Sequence, residues 1–189
     1  VNRKNFKFLI NKKNDKMFYS SIIIYLALIN SKKNFLKENI NNLNKIIEKI
    51  PTDKIYKFLL ISSAHSHNTE YLKFNKIREK KIKEKFKNKV FTLCPGKIYG
   101  NQIIDSNYGI NSFLSDIKKK EINIYGNGKN YCPHTYINDL ANILNYFIIK
   151  NLKAKKYYIY DKKKIKFLDI AKKIKSYSKN KNKINLNFL

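Results

Sequence analysis

The chain has 189 residues, 43% of them hydrophobic and including 14 Tyr and 12 Phe, which excludes a disordered chain and suits one domain with a sizeable core. Its 41 basic and 13 acidic residues give a formal net charge of +28. Two cysteines, Cys94 and Cys132, are too few for a disulfide framework or a four-cysteine zinc site, so no metal is expected and a reducing, cytoplasmic setting is the plain reading.

The first patterned segment is the apolar run from Ser21 to Ala27, of the kind a buried parallel strand shows. Even extended to Ile29 it falls far short of the roughly 20 residues that cross a bilayer, so no membrane partner is expected. Leu36, Ile40, Leu43, Ile47 and Ile50 then recur at helical spacing, and Pro51 stops that helix. A second buried strand covers Tyr56 to Ser63, and a charged helix from Tyr71 to Lys87 carries Phe74, Ile77, Ile82 and Phe86 as a sparse apolar face. The third strand is Val90 to Cys94. Strand, helix, strand, helix, strand with buried strands predicts a parallel α/β sheet whose ligands sit at the strands' carboxyl ends. Those ends carry Ala27, Ser62 with Ser63, and Pro95 with Gly96.

Beyond Gly100 the pattern is less regular, with helices over Ile110 to Lys119, Asn138 to Ile149 and Phe167 to Tyr177, and strands over Glu121 to Tyr125 and Lys156 to Tyr160. The Lys/Asn-rich end from Ser178 reads as frayed or truncated. Gly126-Asn-Gly128 reads as a turn rather than a phosphate loop, because Pro133 and no helix follow it. His65 and His67, two apart without acidic neighbours, read as a polar loop.

The charge has two readings. Lysines that neutralise phosphates release counterions, so a basic chain of this kind fits a nucleic-acid partner. Against that, Arg3 and Arg78 are the only arginines, and the lysines are scattered along the chain among Asn, Ile, Tyr and Phe. Drift in an A/T-rich genome, with lysine as solvated surface, is the favoured reading, and nucleic acid is not the expected partner.

Several short motifs occur in a fixed order: Ile24-Tyr-Leu-Ala27, Asn39, Ile61-Ser-Ser-Ala64, Tyr71, Asn75-Lys-Ile-Arg-Glu79 and Leu93-Cys-Pro-Gly-Lys-Ile-Tyr-Gly100. Ile124-Tyr-Gly-Asn-Gly128, His134-Thr-Tyr-Ile-Asn-Asp139, and Tyr158-Ile-Tyr160 with Phe167-Leu-Asp-Ile-Ala171 follow. From Ser21 to Tyr177 this order resembles the extended short-chain dehydrogenase/reductase superfamily, and more narrowly the NAD-dependent epimerase/dehydratase family acting on nucleotide sugars. The resemblance implies a partial Rossmann-like parallel sheet with helices on both faces, over residues 1–100, and a smaller substrate-binding region with returning sheet elements, over 101–189. It implies NAD or NADP as cofactor, a nucleotide-sugar substrate, and a homodimer paired through two helices of the sheet domain.

Hydride transfer at a sugar carbon needs a proton to leave or join the attached oxygen, and a tyrosine phenol does that only when a nearby cation favours the phenolate. By the resemblance, Tyr71 is the acid/base and Ser63 holds the carbonyl oxygen. The family's lysine stands four residues after the tyrosine, where this chain has Asn75. Lys76 is the substitute cation only if the helix starts one residue later or its side chain reaches round, since one residue turns a helix by roughly 100°. The resemblance places Leu26, Ala27, Ser62, Tyr71, Pro95 and Gly96 at the cofactor, and Ser63, Asn111 and His134 at the substrate. Cys94 and Cys132 stand where many relatives carry Arg.

The family's G-x-x-G-x-x-G phosphate turn does not precede Ile22, and the chain opens on Val1. Two expectations follow: a fragment of an NAD(P)-dependent epimerase, dehydratase or reductase, or a catalytically silent relative that keeps the fold. The eight positions between Ser63 and Tyr71 lean toward the sugar-reductase branches.

Overall fold

The structure is a computed structural model and describes residues 21–26, 33–64, 69–100, 110–118, 121–131, 133–163, 165–177 and 183–187. A four-stranded parallel sheet in the order β1-β2-β3-β7 is its frame, built from β1 (Ser21–Tyr25), β2 (Ile55–Ile61), β3 (Val90–Pro95) and β7 (Lys156–Ile159). Strands β1, β2 and β3 are joined through α1 (Phe35–Glu48) and α2 (Thr69–Phe86), the crossover that parallel neighbours require. A short 3-10 turn, Lys87–Lys89, leads from α2 into β3.

The near-continuous apolar runs of β2 and β3 reflect burial on both faces. On β2, Phe58 and Leu60 point into a core with Tyr25, Leu43, Ile47, Phe74, Ile82 and Phe86, so α1 and α2 cover one face. Leu59 and Ile61 point the other way, to Phe91, Leu93, Leu140, Phe147 and Ile159, under α4 (Ile137–Ile149). A separate small core of Phe113, Ile122, Ile124 and Ala171 joins α3 (Ile110–Lys118), β5 (Glu121–Tyr125) and α5 (Phe167–Tyr177). The described residues also form two short parallel ladders: β4 (Lys97–Tyr99) with β6 (His134–Tyr136), and β5 with β8 (Lys183–Asn187).

Three sequence expectations change. The Lys/Asn-rich end is not frayed throughout, because Lys-Ile-Asn-Leu-Asn alternates with the period of a strand and adds to β5 in parallel register. Strands β4 and β6, three residues each, are too short to stand out from their surroundings in the sequence. On α2 the fully buried face is Phe74, Asn75, Arg78, Ile82 and Phe86, while Ile77 is only half-buried. The helix is turned so that Arg78 reaches back to donate from Nη2 to the Ile61 carbonyl at the end of β2, 2.8 Å away. As expected, Gly126 and Gly128 form a turn, with φ of 73° and 67° that suit glycine.

Lysine does structural work at helix ends. The last carbonyls of a helix lack intrahelical donors and carry partial negative charge. Lys57, only 3% exposed on β2, donates to the carbonyls of Phe147, Ile148 and Lys150 at 3.1, 3.0 and 2.7 Å, closing α4 from the sheet side. Lys85 on α2 likewise donates to the Ile47 carbonyl at the end of α1, and Lys89 to that of Thr52. Lys57→Met is expected to lower the unfolding free energy by about 2–4 kcal/mol, since it removes the donor from three helix-end carbonyls, that of Phe147 buried and the other two part-buried. Lys80→Met, which breaks only the exposed Lys80–Glu84 pair, is expected to cost less than about 0.5 kcal/mol. Urea denaturation of both variants checks the contrast.

Candidate functional site

At the carboxyl ends of β1, β2 and β3, a cavity of about 260 Å³ is lined by Leu26, Ile61, Ser62, Ser63, Tyr71, Arg78, Pro95, Gly96 and Ile98. Open parallel sheets leave this place for ligands, because the strand ends are free of the helices that cover both faces. The backbone beyond β2 is held against β3 by Ser62 N to Leu93 O at 2.7 Å and Ala64 N to Pro95 O at 2.8 Å, which fixes Ser62 and Ser63 at the rim. Tyr71 enters from the first turn of α2, its ring against Phe35 of α1 with centroids 6.4 Å apart.

Gly96 forms the floor where three elements meet. Its N–H lies 3.0 Å from the Ile159 carbonyl and 2.9 Å from Thr135 Oγ1, and the Thr135 hydroxyl donates to the same Ile159 carbonyl at 2.6 Å. A Cβ on Gly96 would stand 2.4 Å from the Pro133 carbonyl oxygen, so only glycine permits this approach.

The expected site residues separate into groups. Ser62, Ser63, Tyr71, Leu26, Pro95 and Gly96 share the cavity, whereas Ala27, His65, His67 and Cys132 lie outside the described residues. Lys76 is not among the lining residues and is exposed. Helix α2 already begins at Thr69, two residues before Tyr71, so Asn75 takes the buried position one turn on, and its Oδ1 has no hydrogen-bond partner among the described residues. Asn111 is buried and not among the lining residues, donating from Nδ2 to the Ile98 carbonyl at 3.1 Å and accepting from Gly100 N at 3.4 Å. His134 packs edge-on against Tyr99 and Phe167 and lines a different, larger cavity of about 710 Å³. There Tyr99 also sits, its pKa raised by burial and by Asp139, Asp161 and Tyr136.

The sequence reading missed Arg78 and Lys156. Arg78 lies seven residues after Tyr71 on α2, two helical turns on and therefore on the same face. It is 2% exposed, stacks over Phe74 with 5.3 Å between Cζ and the ring centroid, and has its pKa lowered by burial, opposed by Tyr71, Tyr25, Glu79 and Cys94. Burial in turn raises the Tyr25 phenol, with Arg78 acting against it. Next to Arg78, Glu79 accepts from the Ser62 hydroxyl at 2.6 Å and from Lys156 Nζ at 2.8 Å, tying α2 to β2 and β7. Burial raises the neighbouring Cys94 thiol, so it behaves as core rather than as a nucleophile. Among the described residues no three His, Cys, Asp or Glu side chains could hold a metal, and no helix is long and apolar enough to cross a membrane.

No family model matches the sequence, and no curated protein matches it. Solved structures do share its fold. An NAD-dependent NDP-hexosamine 5,6-dehydratase of tunicamycin biosynthesis, TunA, superposes with a TM-score of 0.75 at 12% identity, over 90% of this chain and 65% of that one. UDP-glucuronic acid 4-epimerase from Bacillus cereus, solved with UDP-glucuronic acid and NAD, gives 0.70 at 18% identity over 88% and 62%. A GDP-L-fucose synthetase from Naegleria fowleri gives 0.69 at 16% identity over 89% and 64%. The sheet is thus Rossmann-like, and the chain spans under two thirds of the length of each of these proteins.

Two outcomes follow from this geometry. Gly96→Ala is expected to destabilise the fold by about 2–4 kcal/mol, because backbone rather than a flexible side chain must move; thermal denaturation reads it. The Lys156 pKa is raised: burial opposes this, but the Glu79 hydrogen bond, Cys94 and Tyr158 outweigh it. Its contribution to stability is therefore full below the ordinary lysine value of 10.5 and fades as pH rises through the folded value. The denaturation midpoints of the protein and of Lys156→Met are expected to differ at neutral pH and converge in strong alkali.

Proposed function

We propose that the chain is part of an extended short-chain dehydrogenase/reductase of the NAD-dependent epimerase/dehydratase family, acting on a nucleotide sugar with NAD or NADP. The observation that carries this reading is the meeting of Ser63 and Tyr71 in one cavity at the strand ends, on a fold shared with enzymes of that chemistry. Residues 1–100 would form the dinucleotide side and 101–189 the substrate side, with α4 and β7 returning to the sheet.

The fit to a nicotinamide dinucleotide is one-sided. At the reactive end, Leu26, Ser62, Pro95 and Gly96 line the same cavity as Tyr71 and offer strand-end backbone there. For the pyrophosphate, no glycine precedes Gly96 in the sequence given, so the usual glycine-rich cradle has no counterpart in these residues. When bound, such a cofactor supplies hydride transfer. The chain's own part is to orient the reacting sugar oxygen through Ser63 and to hold or release a proton at the Tyr71 phenol oxygen. Of the three residues assigned to the sugar, Ser63 alone lines the cavity, Asn111 and His134 being placed elsewhere.

Asn75 favours a second reading. A buried amide where a cation is needed leaves a relative that binds its ligands but turns them over slowly or not at all. The test is hydride transfer to NAD or NADP, followed by nicotinamide absorbance, in the full chain with UDP-glucose and UDP-glucuronic acid. Turnover that falls by about 10²–10⁴ in Tyr71→Phe supports the first reading. Turnover unchanged in Tyr71→Phe contradicts it, and turnover seen only in Asn75→Lys supports the second.

A further inference from the structure

Burying a guanidinium is costly unless acceptors or an anion compensate for the lost water. Arg78 is only partly compensated. Nη2 donates to the Ile61 carbonyl at 2.8 Å, while Nε is buried with no hydrogen-bond partner among the described residues. The adjacent carboxylate is already committed, since Glu79 takes the Ser62 hydroxyl on one oxygen and Lys156 on the other. Among the described residues, no Asp or Glu lines the cavity beside Arg78. The lining instead brings Ser63 and Tyr71 to the same cavity as Arg78, with apolar walls from Leu26, Ile61, Pro95 and Ile98. Apolar walls strengthen a charge-assisted hydrogen bond by excluding water, and a planar guanidinium matches the two oxygens of a carboxylate or phosphate.

We infer that the cavity at the ends of β1, β2 and β3 is a binding site for a small oxyanion group, a carboxylate or a phosphate, held by Arg78 with Ser63 and Tyr71. A carboxylate is the better match to a cavity of about 260 Å³ with one guanidinium and two hydroxyls. This goes beyond the hydride-transfer reading and does not depend on it, because an anion would bind here in a chain without turnover. Within that reading it narrows the ligand to one that presents a negatively charged group to the pocket.

The composition makes the test direct. Arg3 and Arg78 are the only arginines, so the full chain has two arginine Nε–H resonances, and an Arg3→Lys variant assigns them. Sodium acetate and sodium phosphate are titrated separately into ¹⁵N-labelled protein in about 0.15 M sodium chloride, which screens the surface lysines. The Arg78 Nε–H signal is expected to shift saturably with acetate at low millimolar concentration, while the Arg3 signal stays in place. Saturation with phosphate alone assigns the site to phosphate groups, and saturation with both to oxyanions in general. An Arg78 signal that moves with neither anion, or only in parallel with Arg3, overturns the inference. Because the wild-type chain is used throughout the titration, folding of an Arg78 variant is not at issue, and absence of turnover would not alter the result.

Discussion

The close approach of Gly96 to the backbone at Pro133 is the contact on which both the sheet and the cavity depend. It lets the Gly96 N–H reach Thr135 Oγ1 and the Ile159 carbonyl, and lets Lys97 N meet the Pro133 carbonyl at 2.8 Å. Those bonds join β3 to β7 in the four-stranded sheet and start the separate β4–β6 ladder. Without a side chain at residue 96, the second half of the chain can close against the first, and the floor of the cavity is set. Asp161 N to His134 O, at 3.2 Å, continues the same seam toward the smaller core.

Above this seam, α2 decides what the cavity contains. Its register is fixed by Phe74, Ile82 and Phe86 in the core, and that register carries Tyr71, Asn75 and Arg78 to one side and Lys76 to solvent. The chemistry of the pocket follows from that rotation: α2 contributes Tyr71 and the buried Arg78 to the lining, while Asn75, buried between them on the helix, is not among the lining residues. Glu79 holds the register from the flank by binding Ser62 and Lys156. The abundance of lysine has a structural side, visible where Lys57, Lys85 and Lys89 donate to backbone carbonyls at or just beyond the ends of α4 and α1.

Much of this was legible in the sequence, for identifiable reasons. The strands β2 and β3 announce themselves as apolar runs because both faces are covered, β1 by its own apolar run although Ile24 is exposed at the sheet edge, and α1 by its regular spacing and Pro51. The grouping of Ser63 and Tyr71 was legible from the order of short motifs and the rule that ligands sit at strand ends. What stayed hidden depends on tertiary packing. A lysine buried on a strand, as Lys57 is, looks like surface until the helix end it serves is placed against it. Arg78 reads as one more charge on a charged helix, and its burial turns on whether Ile77 or Arg78 faces the sheet. The signals were its rarity beside 39 lysines and its spacing of seven from Tyr71. The β8 strand carried period-two alternation but lay in a segment whose composition resembles a loose tail.

Ligand binding at the ends of β1, β2 and β3, around Ser63, Tyr71 and Arg78, is the central proposal. Backbone hydrogen exchange of the full chain, with and without saturating NAD and UDP-glucuronic acid together, tests it most directly. Slowed exchange is expected in peptides covering residues 61–64 and 94–98. Protection at the larger cavity beside Tyr99 and Asp161 alone, or at neither place, would contradict it.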